Sequence, residues 1–164
     1  MKTLLAAAAG LALLAGASAA SAESYASIGY SQLGAEDSGL DVDFGAVTAR
    51  VGTNINPWFG VEGEVALGVK DDTVAGVDVE LKHEIGVFAV ARAPLGEGFT
   101  VLGRVGYASG KVEAAGTSDS GGGIAYGVGA EYGFGVNGVR LDYTKYDFDG
   151  TDGDGFTISY VRKF

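Results

Sequence analysis

Residues 59–69 read FGVEGEVALGV, and their alternation determines the fold class. The odd positions hold a phenylalanine, a leucine, three valines and one glycine. The even positions hold glycine, alanine and the carboxylates Glu62 and Glu64. A period of two sustained over this length predicts a β-strand with one apolar and one polar face.

The same period recurs along the rest of the chain. Seven further segments show it: residues 26–31, 47–52, 77–91, 99–108, 124–132, 139–144 and 156–164. Beyond residue 22 we find no helical periodicity, and no apolar run approaches the roughly 18 residues of a membrane-spanning helix. The sequence therefore predicts an all-β domain of eight strands.

Residues 1–22 have the features of a cleavable signal peptide. Lys2 is followed by an apolar run over residues 4–15, and Ala20 and Ala22 form a small-x-small cleavage site before Glu23. The run is shorter than the ~20 residues that a spanning helix needs. We therefore expect a signal peptide at 1–22 and one β-barrel domain at 23–164, and removal of Lys2 changes the net charge from -10 to -11.

The predicted connections alternate in length. Short, turn-forming segments lie at residues 54–57, 94–98 and 133–138, whereas longer or strongly acidic ones lie at 34–43, 70–76, 110–123 and 147–155. An even strand number with short turns at one end and longer loops at the other is typical of bacterial outer-membrane barrels. Both chain ends then lie on the periplasmic side.

Periodicity alone leaves the direction of the apolar face open. A soluble barrel turns it inward around a ligand, whereas a membrane barrel turns it outward into lipid. The apolar face is nearly free of charge and carries aromatic residues near the strand ends, as interfacial girdles do. These observations favour an eight-stranded antiparallel up-and-down transmembrane β-barrel, which we expect to be a monomer.

The polar face then lines an interior just wide enough for side chains to fill. Opposite charges on this face are predicted to pair across the lumen. The predicted luminal charge network contains Arg50, Glu62, Glu64, Glu80, Lys82, Glu84, Arg104, Glu131, Arg140 and Asp142.

Composition excludes several classes of protein. The chain has no cysteine, so it has neither disulfides nor a cysteine-based metal site. A net charge of -10 argues against a nucleic-acid partner. The 29 glycines exceed the roughly 7% usual in proteins, which indicates tight turns and room for bulky neighbours.

Several short motifs, in this order, carry a family resemblance. They are Arg50-x-Gly52, Pro57-Trp58-Phe59-x-x-Glu62, YGVGAEY at 126–132, VRLDY at 139–143 and the terminal Phe164. Together they resemble the small outer-membrane β-barrel proteins of the OmpA/OmpX-like and opacity types, also described as porin-family proteins. The resemblance extends from Tyr25 to Phe164 and implies an outer-membrane location.

In such families the last strand ends in phenylalanine and serves as the recognition signal for the barrel-assembly machinery. Phe156, Ile158, Tyr160 and Phe164 fit that register. Arg162 departs from it, because an aromatic residue is commoner two places before the final phenylalanine.

Catalytic chemistry finds little support. The single histidine, His83, is predicted to face outward. The chain has no second histidine that could form a Ser/His/acid grouping in its place. Glu62 and Glu64 are better explained by luminal ion pairs than by acid–base catalysis. We expect no cofactor and no bound metal.

The acidic run at residues 147–155 lacks the EF-hand order. A looser interpretation is that acidic loops share divalent cations with lipopolysaccharide. The expected function is therefore a non-enzymatic structural or surface role in the outer membrane, in contact with lipid and lipopolysaccharide. A narrow channel for ions or small solutes and a soluble periplasmic ligand-binding barrel are the alternatives.

Overall fold

A computed structural model describes residues 23–37, 40–70, 72–74, 77–114, 117–148 and 151–164. Within these ranges the side chains of residues 35–44, 70–82, 112–119 and 149–151 lie outside the description. The predicted signal peptide, with Ala20 and Ala22, also lies outside the described residues.

The described chain consists of antiparallel strands joined by turns. Their bounds are β1 Glu23–Asp37, β2 Leu40–Asn54, β3 Phe59–Lys70, β4 Asp72–Val74, β5 Val77–Gly96, β6 Phe99–Ala114, β7 Thr117–Phe134, β8 Asn137–Phe148 and β9 Thr151–Lys163. The described part of the chain contains no helix with the length and hydropathy of a membrane span.

The strands close into a barrel. Strands that follow one another in sequence pair, except β3 with β4, and β3 pairs with β5. The first and last strands, β1 and β9, pair at the closing seam of the barrel. Because β3 and β4 pair one after the other with β5, they form one barrel strand. The predicted eight-stranded antiparallel up-and-down barrel is confirmed.

One end of the barrel carries three short turns and both ends of the described chain; we call it the turn end. Asn56 shapes the turn between β2 and β3, because its Oδ1 accepts hydrogen bonds from the backbone N–H groups of Trp58 and Phe59, each at 2.8 Å. The backbone N–H of Phe164 donates to the Ser24 carbonyl at 2.8 Å, which extends the closing seam to the last residue.

At the opposite end, the prediction of four long loops is wrong, because the strands extend into most of those segments. Pairing continues to Asp37↔Leu40, Val74↔Val77, Ala114↔Thr117 and Phe148↔Thr151. The strands therefore run well past the membrane: β5 has 20 residues and β7 has 18, whereas a crossing needs about 9–11. Apolar side chains at every second position are needed only where the strands contact lipid. Backbone hydrogen bonds do not depend on them, so strand pairing continues beyond that region.

The apolar face points outward. Ile28, Val87, Val105 and Val128 are all more than half exposed, whereas polar residues between them are buried. Exposed aromatic residues form two bands on this face. Near the turn end lie Trp58, Phe59, Phe99, Tyr132, Phe134 and Tyr160, and farther along the strands lie Tyr30, Tyr107, Tyr126, Tyr143 and Phe156. This arrangement matches the two interfacial girdles of a membrane barrel.

Substitution of an outward residue tests this orientation. Leu141 is 41% exposed between the two aromatic bands, so Leu141→Arg should lower the free energy of unfolding in lipid vesicles by about 2–4 kcal/mol. Gln32→Arg is the matched control, since Gln32 is exposed at the level of the outer band, opposite Phe156. This variant should cost only about 0–1 kcal/mol. Equal costs in urea titrations would contradict the outward assignment.

Candidate functional site in the barrel interior

Six charged side chains meet in the middle of the lumen, and we call them the central charge layer. They are Arg50 on β2, Glu62 and Glu64 on β3, Arg104 on β6, and Arg140 and Asp142 on β8. None is more than 3% exposed. The strand pattern dictates this position, because each occupies the inward parity of its strand.

Arg50 on β2 binds carboxylates of the layer on two other strands, β3 and β8. It stands directly opposite Glu64 in the β2–β3 register, and its Nε donates to the Glu64 carboxylate. Its Nη1 donates across the lumen to Asp142 Oδ2 at 2.7 Å. One guanidinium thus joins two strands that are not neighbours in the sheet.

Arg140 makes the corresponding connection from β8. Its Nη1 donates to Glu62 Oε2 at 2.7 Å, and its Nε donates to Asp142 Oδ1 at 2.9 Å. The hydroxyl of the buried Tyr25 donates to the same Glu62 oxygen at 2.8 Å. Glu62 is thereby held from β1 and β8 at once.

Arg104 completes the layer from β6. Its Nη1 donates to Glu64 Oε2 at 2.9 Å and lies 3.3 Å from Glu62 Oε1. Its guanidinium carbon lies 3.6 Å from the centroid of the Phe88 ring, in cation–π geometry. The layer holds three arginines and three carboxylates, so its formal charge is zero.

Glycines give these side chains room. A Cβ placed on Gly129 would lie 2.6 Å from Asp142 Oδ1, and one placed on Gly52 would overlap the Tyr25 ring. Part of the high glycine content therefore comes from the filled interior.

A second group of charges lies nearer the turn end. Glu131 on β7 is 1% exposed. Its Oε1 lies 3.0 Å from Lys163 Nζ on β9 and 3.6 Å from Arg92 Nη2 on β5. These pairs tie the last strand to the opposite wall.

The half of the lumen farther from the turn end carries fewer buried charges among the described residues. Glu84 is 4% exposed and is hydrogen-bonded to Tyr146. Ser31 Oγ lies 2.5 Å from Thr48 Oγ1 and 2.8 Å from Thr157 Oγ1 across the closing seam. An apolar cluster fills the β5–β7 side, with Phe88, Val90, Leu102, Ala108 and Ala125 buried.

The structure places eight of the ten residues of the predicted luminal network on the inner face. Six form the central charge layer, Glu131 belongs to the group near the turn end, and Glu84 lies apart beside Tyr146. Glu80 and Lys82 lie on β5, but their side chains lie outside the described part of the chain. Sequence reasoning missed Tyr25, Arg92 and Lys163. Extending the inward parity of each strand to its end would have found them.

The apolar interior cluster was also not predicted. Phe88, Val90 and Leu102 share inward parity with Arg92 and Arg104, so the inner face is not uniformly polar. Filling a narrow barrel requires volume as well as charge pairing.

The residues of the predicted assembly signal all point outward along β9. Phe156, Ile158, Tyr160 and Phe164 are 46–77% exposed. Arg162 is also exposed, and its Nη1 donates to Asn137 Oδ1 at 2.9 Å, the atom that also accepts from the Tyr160 hydroxyl at 2.5 Å. The departure from the aromatic pattern is therefore accommodated by the turn before β8.

Two other predicted features can be placed. His83 lies on the outer parity of β5 and is half-buried, opposite Lys111 in register.

Among the described residues, no group of three or more His, Asp or Glu side chains has metal-site geometry. The side chains of the acidic residues 36, 37, 41, 43, 71 and 72 lie outside the described part of the chain.

Comparison with solved structures supports the same architecture. Ail, the attachment invasion locus protein of Yersinia pestis, has 20% sequence identity and a TM-score of 0.70, covering 87% of this chain and 99% of Ail. Neisserial surface protein A has 16% identity and a TM-score of 0.63, covering 86% and 97%. OprG from Pseudomonas aeruginosa has 12% identity and a TM-score of 0.62, covering 87% and 95%.

No curated protein sequence matches the chain. A family model described as "Outer membrane protein beta-barrel domain" matches residues 3–164. That match covers nearly the whole chain and agrees with the closed barrel, the outward apolar face and the paired charges inside. The chain is therefore an outer-membrane protein that belongs to the outer membrane protein beta-barrel domain family.

Proposed function

We propose that this protein is a non-conducting, non-enzymatic barrel with a structural or surface role in the outer membrane. The observation that supports this proposal is the burial of the central charge layer. Glu62 and Arg140 are 0% exposed, and Asp142 is 1% exposed. Water in an open lumen would contact these side chains, so their burial supports a lumen closed at this level.

A narrow channel is the second candidate, because the interior is charged. The charged side chains nevertheless pair with one another. Phe88 and Leu102, each 1% exposed, occupy the space beside them. An ion would have to displace paired groups whose separation leaves charges buried and unpaired, at several kcal/mol.

The partners follow from the outward surfaces. The lipid bilayer contacts the apolar face, and the outward aromatic row of β9 is the surface we propose for recognition by the barrel-assembly machinery. We propose a monomer, since pairing of β3 with β5 closes the described sheet around the central charge layer. The net charge of -10 disfavours nucleic acid and other polyanions as partners.

We use the name acidic strand extensions for the paired ends of β8 and β9 that carry Asp147 and Asp152. Lipopolysaccharide is the proposed partner of this surface. Asp147 and Asp152 stand directly opposite each other on β8 and β9, and both are exposed on the outer face beyond Tyr143 and Phe156. Like charges directly opposite destabilise a sheet. A divalent cation shared with lipid phosphates would relieve this repulsion, with the phosphates supplying the remaining ligands.

Planar-bilayer recording tests the closed lumen. We expect no stepped openings from the folded wild-type protein. The variant Arg50→Ala/Glu64→Ala removes one charge of each sign from the central charge layer and should show openings. Stable wild-type openings would instead support the channel.

Thermal unfolding with calcium tests the lipopolysaccharide contact. In vesicles that contain lipopolysaccharide, calcium should raise the unfolding temperature, and Asp147→Asn/Asp152→Asn should remove most of that increase. Glu97→Gln is the matched control, since Glu97 is an exposed carboxylate at the turn end. A calcium effect of the same size in phosphatidylcholine vesicles, or none at all, would refute the proposed contact.

A further inference from the structure

An apolar groove of about 670 Å³ runs across the outer face of the barrel. Its volume lies within the roughly 300–1,000 Å³ range of small-molecule sites. It crosses β3, β5, β6, β7 and β8 and is bordered mainly by their outward residues, so it lies on the surface that contacts lipid.

The strand register shows how the groove forms. Two neighbouring rows of outward residues border it, each following the hydrogen-bonding direction of the sheet. One row is Phe59, Ala91, Gly103, Val128 and Tyr143; the other is Val61, Ala89, Val105, Tyr126 and Lys145. Four strand spacings of about 4.8 Å make the groove roughly 19 Å long.

Small residues from both rows meet in the middle of the groove. Ala89, Ala91 and Gly103 adjoin on β5 and β6, between the larger Phe59 and Val128. A Cβ placed on Gly103 would meet no atom within 4 Å. This open space is missing side-chain volume on the lipid face, and hydrocarbon that fills it gains contacts that a flat surface would not offer.

The two ends of the groove differ chemically. One end lies at Ile55 and Phe59, beside the turn end, and the other reaches Tyr143 and Lys145. Lys145 is exposed, one outward position beyond Tyr143 of the outer aromatic band. Its ammonium therefore lies at the level of lipid headgroups, opposite the exposed Asp154 in the β8–β9 register, and a phosphate group complements its charge.

We infer that the groove binds one fatty-acyl chain of lipid A, with a lipid A phosphate at Lys145. The chain descends from Lys145 between the two rows and over Gly103 toward Phe59. A strand tilt of about 45° inclines the rows by a similar angle, so the groove descends about 14 Å, close to half of the ~30 Å hydrocarbon core. This inference rests on the proposed contact with lipopolysaccharide and assigns a second surface to it.

Native mass spectrometry of the folded barrel in detergent, titrated with lipid A in the presence of a chelator, tests the inference. Wild type should retain one lipid A per barrel in preference to phosphatidylcholine. Gly103→Trp and, independently, Ala91→Phe should weaken retention about tenfold or more, the effect of excluding roughly two methylene groups. Ala49→Trp is the matched control, because Ala49 is an exposed outward residue on β2 outside the groove.

The headgroup contact has its own pair of variants. Lys145→Gln should weaken lipid A retention, whereas Lys111→Gln, which removes an outward lysine that does not line the groove, should not. Heat-modifiable migration on unheated gels verifies that each variant is folded, and Ala91→Phe serves alone if Gly103→Trp does not fold.

Three results would overturn the inference. They are equal retention by the groove variants and Ala49→Trp, retention of phosphatidylcholine as strong as that of lipid A, and a dimer that Gly103→Trp abolishes, which would assign the groove to a second copy. The chelator removes divalent cations, so calcium stabilisation without retained lipid A would refute the groove and leave the acidic contact standing.

Discussion

Eight strands close around a lumen just wide enough for side chains, so each charge that points inward needs an opposite charge within reach. The central charge layer meets this constraint with three arginines and three carboxylates from β2, β3, β6 and β8. Removal of one partner leaves a buried charge uncompensated, at roughly 3–5 kcal/mol. The layer therefore connects strands that are far apart in sequence, and the same contacts support the closed lumen that we propose.

Placing the charges inside leaves the outer face to lipid. Apolar residues at every second position cover it, and two aromatic bands border it. Small residues at Ala89, Ala91 and Gly103 interrupt this surface without introducing charge, so the groove they form suits hydrocarbon rather than water. The function that we propose depends on two outward surfaces, the groove and the acidic strand extensions, while the interior maintains the shape.

Side-chain alternation predicted the strand number and placed Arg50, Glu62 and Arg140 on the polar face, because a period of two assigns each residue to one face. The connection lengths predicted a barrel, and the charge-free apolar face with its aromatic residues predicted that this face points outward. Alternation could not pair the charges, since the register across the lumen depends on closure between β1 and β9. It also placed the strand ends too early, because backbone hydrogen bonds can extend a strand where no apolar alternation marks it. The groove depends on residues from five strands that only the register brings together.

A double-mutant cycle on Glu62 and Arg140 tests most directly whether paired charges hold the barrel together. Glu62→Gln and Arg140→Gln should each lower the free energy of unfolding in lipid vesicles by about 3–5 kcal/mol. The double variant should cost less than the sum of the two, with a coupling energy of about 1–3 kcal/mol. Strictly additive losses, or single variants as stable as the wild type, would show that the central charge layer does not hold the structure together.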